Sequence, residues 1–248
     1  MGNVGYDCAD EIQEVYVAAR DEFGADPAFW LRYFGPSPAA DLFNDDPLDE
    51  SIAAWDSGGN YVGCISAPYQ SDLSGSEATG LADAQTYAAS MQSAYYAVVP
   101  IYLPSSNMLY CWLDQEYGTS LSLSYLDGWA NYIANYNFAG LDTYPLYPAV
   151  YCTPSSPYPD CSTFAAATGL NVPAACWVPV PEYCDSLTAP PGTWEAESCS
   201  SYSSSNVPTL LWQFAEQGAC GYSAAVDLDQ GHPAFTVADY CFLIAYDP

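Results

Sequence analysis

The stretch LYCWLDQE, residues 109–116, holds the pattern that decides the fold, because it is a short apolar run that ends in acidic residues. Residues 109–113 have the length and composition of a buried strand. A helical pattern follows, with Ser124 as its predicted cap and one apolar face formed by Leu126, Trp129, Ile133 and Tyr136. A strand followed by an amphipathic helix is typical of βα units, which build mostly parallel sheets.

The same alternation recurs along the chain. Strands are predicted at residues 4–7, 29–34, 61–66, 109–113, 147–152, 175–180, 210–214 and 224–228, and helices are predicted from about residues 10, 47, 80, 124 and 161. The length of 248 residues suits one (β/α)8 barrel, which takes roughly 250. We therefore expect a single α/β domain over residues 1–248, a TIM-like (β/α)8 barrel with disulfide-pinned loops between 153 and 205.

The charge of the chain is unusual because bases are scarce. There are 30 acidic residues, an ordinary number, but Arg20 and Arg32 are the only Lys or Arg, so the formal net charge is -28. We expect an acidic habitat, because carboxylates approach neutrality near pH 3 and a chain without bases then avoids self-repulsion. Resistance to proteases that cut after basic residues is an alternative reason. The charge excludes nucleic-acid binding, and no stretch is apolar enough to predict a membrane span.

Ten cysteines allow up to five disulfides. No C-x-x-C pair occurs and His232 is the only histidine, so the sequence predicts neither a metal site nor a cofactor. Disulfides indicate an oxidising compartment, so we expect an extracellular or cell-surface protein. The local pairs Cys152–Cys161 and Cys176–Cys184 are plausible, but the connectivity stays open. The first ten residues lack the pattern of a signal peptide, which favours a mature form or an added Met1.

Acidic residues stand at the ends of several predicted strands. Asp114 and Glu116 are two positions apart, so both side chains point the same way at the mouth of the barrel, where barrel enzymes keep their active sites. Two close carboxylates tend to hold one proton between them, which glycoside hydrolysis requires. Asp7 and Asp227 end other predicted strands. Solvated loop acids and a helix-capping aspartate are the alternatives for these positions.

The chain is rich in aromatic residues, with 23 Tyr and 7 Trp. Sugars pack against aromatic faces, and several of these residues flank predicted strand ends, although most aromatic residues belong to a core. The predicted substrate-binding residues are Asp227, Tyr69, Tyr102, Trp112, Trp177 and Trp212.

Several segments together resemble one enzyme family. VGYDCAD at residues 4–10, CWLDQE at 111–116, AACWVPVPEY at 174–183 and the pair VPTLLWQFAEQG and YSAAVDLDQG near the end are similar to family 25 glycoside hydrolases, the lysozymes, and to a related glycoside-hydrolase-like family of unknown function. YPLYPAVYCTPS, residues 144–155, resembles another strand of these proteins. The chain departs from the lysozymes in lacking their Tyr-His-Phe strand, to which the SAPY segment at residues 66–69 is the nearest match. LRYFGP at residues 31–36, followed by a helix and VGCISAPYQ at residues 62–70, looks closer to the uncharacterised branch.

The resemblance implies roles for the acidic residues. Glu116 would be the general acid, Asp114 would stabilise developing positive charge, and Asp7 and Asp227 would line the site. The first hypothesis is a secreted glycosidase that cleaves peptidoglycan or another amino-sugar polysaccharide. The alternatives are a non-catalytic glycan-binding domain and a structural extracellular protein that self-associates through a tyrosine-rich surface.

Overall fold

A computed structural model describes residues 4–40, 47–59, 61–97, 101–102, 109–116, 118–136, 146–152, 160–167, 174–179, 183–184, 193–196, 207–237 and 242–244. The strands are β1 Val4–Asp7, β2 Trp30–Phe34, β3 Tyr61–Ser66, β4 Ile101–Tyr102, β5 Leu109–Asp114, β6 Leu146–Tyr151, β7 Ala175–Val178, β8 Thr209–Ala215, β9 Asp227–Gly231 and β10 Phe242–Ile244. The helices are α1 Ile12–Phe23, α2 Pro47–Asp56, α3 Glu77–Ala97, α4 Leu123–Asn135, α5 Asp160–Ala167 and α6 Gln217–Cys220. None of these described helices combines the length and apolar character needed to cross a membrane.

Eight of the strands close into a barrel. Their order is β2-β1-β9-β8-β7-β6-β5-β3, and pairing between β2 and β3 completes the ring. Six of the pairings are parallel, but β9 runs antiparallel to both β8 and β1. The predicted α/β barrel is therefore present, with mixed rather than uniformly parallel strands. Strand β10 pairs antiparallel with β3 and carries β4 on its other edge.

Two details of the sequence prediction are wrong. The last barrel strand was expected at residues 224–228, but β9 starts at Asp227. Asp227 therefore enters the barrel at the beginning of an antiparallel strand, at the same end where the parallel strands finish. The cap of α4 is Ser122 rather than Ser124, because the Ser122 side chain accepts a hydrogen bond from the Tyr125 backbone N–H at 3.0 Å.

Both faces of the barrel strands are buried, in two separate layers. An inner layer fills the barrel with side chains that include Phe29, Leu31, Ile65, Trp112 and Trp177. An outer layer packs the opposite strand faces against the helices. Gly5 faces the inner layer, where a Cβ would lie 2.2 Å from the Phe29 ring, so glycine leaves room for that ring. The filled interior confines any open site to the ends of the barrel.

Helices α3 and α4 cross with their backbones in contact. A Cβ on Gly128 would lie 2.0 Å from the Glu77 carbonyl oxygen, and one on Gly80 would lie 2.0 Å from the Tyr125 carbonyl oxygen. Glycine is therefore required at both positions. The crossing holds the start of α3 against α4, and both helices follow strands that supply the candidate site.

The cysteines form fewer bridges than their number allows. Cys184 is bonded to Cys220, so the pair Cys176–Cys184 considered above is wrong. The sulfur atoms of Cys152 and Cys161 are 2.9 Å apart, longer than the about 2.05 Å of a disulfide bond. Cys8, Cys111 and Cys176 are buried thiols, which excludes five bridges.

Candidate functional site

Four aspartates and one glutamate gather at one end of the barrel. Asp7 ends β1 and Asp114 ends β5, while Asp227 and Asp229 are alternate residues of β9. Asp227 is the cross-strand neighbour of Asp7. Glu116 follows β5 and is exposed, whereas Asp7, Asp114 and Asp229 are buried. The barrel thus brings together all four acidic residues predicted for the site and adds Asp229.

Asp7 and Asp229 lie close enough for each carboxyl group to shift the pKa of the other. Two carboxyls hydrogen-bond to each other only when one carries a proton. The pKa of Asp229 is well above its ordinary value because the group is fully buried and faces the charge of Asp7. Burial also raises the pKa of Asp7, but hydrogen bonds from Asp229, Gln213 and Tyr33 oppose that rise. Burial and the neighbouring charge therefore favour the neutral form of Asp229.

The Gln213 side chain connects Asp7 of β1 with Asp227 of β9. Its Nε2 donates to Asp7 Oδ2 at 3.1 Å and to Asp227 Oδ2 at 3.2 Å, and its Oε1 accepts from the Tyr151 hydroxyl at 2.6 Å. Asp227 Oδ1 also accepts from the Gln217 backbone N–H at 2.7 Å. Burial and the nearby charge of Asp7 raise the pKa of Asp227 to about 7. The group therefore changes charge near neutral pH.

Asp114 is the buried last residue of β5, two positions before Glu116. Burial, then the charges of Glu116 and Asp7, hold the pKa of Asp114 well above its ordinary value. Its Oδ2 accepts from Gln70 Nε2 at 3.3 Å. Glu116 is exposed to solvent, whereas Asp114 is buried.

One basic side chain lies close behind this cluster. Arg32 is buried, pairs with Glu50 at 2.9 Å, and donates to the carbonyl oxygens of Cys8 at 2.6 Å and Asp10 at 2.9 Å. Its charge lowers the pKa of Asp7 somewhat, although burial prevails. Because most of the hydrogen bonds of Arg32 go to Glu50 and to the chain after β1, the aspartates remain without a direct cationic partner in the described part of the chain.

A cleft of about 220 Å³ opens beside two of these carboxyls, those of Asp7 and Asp227. It lies between the chain after β1 and the chain before β9, and its lining includes Asp7, Tyr33, Gln217 and Asp227. Pockets for drug-sized ligands are usually about 300–1,000 Å³. The described cleft is therefore suited to a small group, such as a single sugar ring, rather than to a whole oligosaccharide.

The predicted aromatic residues divide by exposure. Trp112 and Trp212 are fully buried, so neither presents a face to a sugar, which makes their prediction as stacking residues wrong for this structure. Trp177 is also buried, but its Nε1 donates to Asp229 Oδ1 at 2.8 Å, which makes it a support of the site. Tyr69 is 50% exposed and adjoins Gln70. The side chain of Tyr102 lies outside the described residues.

The described residues show a close metal-ligand set only among cysteines, where the sulfur atoms of Cys152, Cys161 and Cys176 lie within 4.8 Å of one another. Cys161 is disulfide-bonded and cannot supply a thiolate. Within the described ranges, no three carboxylates at the barrel mouth come this close together.

Sequence analysis missed several polar members of the site, namely Tyr33, Gln70, Tyr151, Gln213 and Asp229. A usable signal existed for four of them, because each occupies an inward-facing position in or at the end of a strand. Asp229 stands two residues after Asp227, and Gln213 is the one amide in the apolar run TLLWQFA. Gln70 lies beyond β3 and had no comparable signal.

Comparisons with known proteins support the fold alone. No protein-family model matches the chain, and no curated protein matches it. One solved structure, described as an uncharacterized B. stearothermophilus protein at 1.07 Å, superposes with a TM-score of 0.67. The match covers 97% of this chain and all of the other, at 18% identity. The chain is therefore similar in architecture to a protein of undescribed activity, and the resemblance to lysozymes remains a hypothesis.

Proposed function

We propose that this protein is a secreted glycoside hydrolase that cleaves a cell-wall or amino-sugar polysaccharide, on a barrel derived from the (β/α)8 type. The observation that carries the proposal is a cluster of four aspartates at the end of the barrel that also holds the exposed Glu116. These aspartates are Asp7, Asp114, Asp227 and Asp229. Glycoside hydrolysis uses a pair of carboxyl groups and passes through a transition state with positive charge on the sugar ring.

The raised pKa values of the aspartates explain how such a site would act. They arise chiefly because the carboxyls are buried, and then because other carboxyls lie close by. The same surroundings favour any positive charge that develops in the cleft. A sugar that becomes cationic in the transition state would be stabilised more than the neutral bound substrate, and this difference accelerates a reaction.

The resemblance to lysozymes supplies the roles within the pair. Glu116 donates a proton to the glycosidic oxygen, and Asp114 stabilises the positive charge. In the free protein Asp114 favours its neutral form, because it is buried beside Glu116. A bound sugar would shield Glu116 from water and favour its protonated form, while the developing positive charge would favour ionised Asp114. Substrate binding would thus redistribute the proton toward Glu116.

Peptidoglycan and other amino-sugar polymers are the proposed partners, and the extracellular space is the proposed location. The exposed ring of Tyr69 beside the mouth and the bond between Cys184 and Cys220 support these proposals. Support for self-association through tyrosines is weaker, because Tyr69 is the one described tyrosine with a widely exposed ring.

A non-catalytic glycan-binding domain is the second candidate function. The observation that favours it is the burial of Asp7, Asp114 and Asp229, which leaves Glu116 and half-buried Asp227 as the acids that a ligand reaches first. In such a domain the buried aspartates would shape the cleft without taking part in bond cleavage.

The test is release of reducing sugar from purified peptidoglycan and from N-acetylglucosamine oligomers at pH 3, 5 and 7. Glu116→Gln should lower release by at least about 100-fold while it preserves sugar binding, since it removes the general acid and keeps the shape. Glu195→Gln is the matched control, because Glu195 is exposed beside Trp194, which packs on His232 at the other end of the barrel. Folded wild-type protein that binds these sugars without cleaving them would favour the glycan-binding domain.

A further inference from the structure

Gln70 lies between the two acids of the D-x-E segment and contacts both. Its Nε2 is 3.1 Å from the Asp114 carbonyl oxygen and 3.3 Å from Asp114 Oδ2. Its Oε1 accepts from the Glu116 backbone N–H at 3.0 Å and from the Thr119 hydroxyl at 3.3 Å. One amide group therefore joins the end of β5 to the loop that carries Glu116.

The chemistry of these partners fixes the direction of the amide. The Asp114 carbonyl oxygen can only accept, and the Glu116 backbone N–H can only donate. A reversed amide would place Oε1 against two oxygens of Asp114 and the NH2 group against the N–H of Glu116. The direction is thus determined by backbone groups, which do not change with pH.

The segment that carries Gln70 is itself held in place. Gln70 begins a short 3-10 helix, Gln70–Ser74, after β3. The Leu73 carbonyl oxygen accepts from the Ser122 backbone N–H at 2.9 Å, and the Gly75 carbonyl oxygen accepts from the Ser122 hydroxyl at 2.7 Å. Ser122 is also the cap of α4. The segment is therefore anchored to α4, which is the next helix after the acidic pair.

Thr119 completes the connection on the other side. Its one hydroxyl proton is directed mainly to the Glu116 carbonyl oxygen at 2.7 Å, with Gln70 Oε1 as the more distant acceptor at 3.3 Å, and its own carbonyl oxygen accepts from Gln115 Nε2 at 3.2 Å. Loss of the Gln70 amide would remove hydrogen bonds from Asp114 and from the Glu116 backbone at the same time.

We propose that Gln70 is a positioning residue that sets the relative direction of Asp114 and Glu116 and, through its amide N–H, keeps Asp114 able to ionise. The proposal rests on the function proposed above, in which Asp114 must become negative as the sugar becomes positive. Gln70 belongs to the SAPYQ segment, residues 66–70, in which the chain departs from the lysozyme pattern.

Two variants separate positioning from mere support of the fold. Gln70→Met keeps the approximate volume and removes all four hydrogen bonds. Gln70→Glu keeps an oxygen for the Glu116 N–H but places a carboxyl against Asp114. Once protonated, that carboxyl again has one acceptor and one donor, like the amide. Gln85→Glu, on the exposed side of α3, controls for the added charge.

The first readout is the titration of the Asp114 side-chain carboxyl carbon by NMR, which needs no substrate. In Gln70→Met we expect its midpoint to rise by about one pH unit, since a hydrogen bond to a charged group is lost. In Gln70→Glu we expect a larger rise. Gln85→Glu should leave the midpoint unchanged. An unchanged Asp114 midpoint in both Gln70 variants, with near-ultraviolet circular dichroism like that of the wild type, would overturn the proposal.

The second readout is the pH profile of sugar release. The activity lost in Gln70→Glu should return as the pH falls and the introduced carboxyl takes up a proton, whereas Gln70→Met should stay at least about 10-fold below wild type at every pH. Equal losses at every pH in both variants would overturn the positioning role. If the wild type cleaves no substrate, the proposed hydrolase function fails by itself, and the Asp114 titration still decides whether Gln70 controls its ionisation.

Discussion

Asp227 offers the sharpest test of the electrostatics at the barrel mouth. Its pKa is raised from about 4 to about 7, chiefly by burial and then by the charge of Asp7, despite hydrogen bonds from Gln217 and Tyr222. A raised carboxyl pKa means that the folded protein binds a proton more tightly than the unfolded chain does. The resulting stabilisation is complete below about pH 4 and is lost as the pH rises from 4 to 7.

The size of this effect follows from the shift. About three pH units correspond to roughly 4 kcal/mol of unfolding free energy. Asp7, Asp114 and Asp229 are shifted in the same direction, so their ionisation also lowers stability as the pH rises. The protein should therefore be most stable in acid. The shortage of bases suggests an acidic habitat, so the two arguments agree.

Asp227→Asn isolates the contribution of Asp227. Urea unfolding at pH 4 and at pH 7.5 should show that the wild type loses stability toward neutral pH, and that the variant loses about 2–4 kcal/mol less. The cost of any altered hydrogen bond to Gln213 or Gln217 is present at both pH values and cancels in the difference. Asp56→Asn, at an exposed site on α2, is the control. Equal losses in wild type and Asp227→Asn would refute the reasoning.

Two further predictions concern stability. Arg32→Met should cost about 3–5 kcal/mol of unfolding free energy at pH 7, because it leaves Glu50 buried without its cation. Adding Glu50→Gln should restore at least half of that loss in the same urea assay. Equal stability of the single and double variants would contradict this. Gly128→Val should cost at least about 3 kcal/mol, since its Cβ would collide with the Glu77 carbonyl oxygen, whereas Asn131→Ala on the exposed side of α4 should change little. A similar melting temperature for both helix variants would show that the helices separate easily.

The strands were largely predictable because apolar runs of strand length are visible in a single sequence. The exceptions are the short strands β4 and β10, which were not predicted, and β9, DLDQG, which was predicted at residues 224–228 so that Asp229 fell outside it. Strand β9 lies between β8 and β1, and closure of the barrel there joins Gln213 to Asp7 across 206 positions of sequence. Local pattern carries no information on such contacts.

The acids of the site were predictable as a group, but their partners were not. Asp7, Asp114 and Glu116 follow apolar runs, and the rule that parallel strand ends meet is enough to bring them together. Strand position misled the prediction of exposed tryptophans, because both faces of a barrel strand are buried. Strand position therefore cannot tell whether Trp112 or Trp212 has an exposed face.

The buried thiols provide built-in reporters of motion. Cys8 follows β1, Cys111 lies in β5 and Cys176 lies in β7, so three separate parts of the ring each carry one unbridged sulfur. A thiol reagent can reach these atoms only when the surrounding structure opens. Equal labelling rates at the three positions would describe a ring that opens as one cooperative unit, and faster labelling of Cys8 would locate the first opening at the antiparallel seam beside β9.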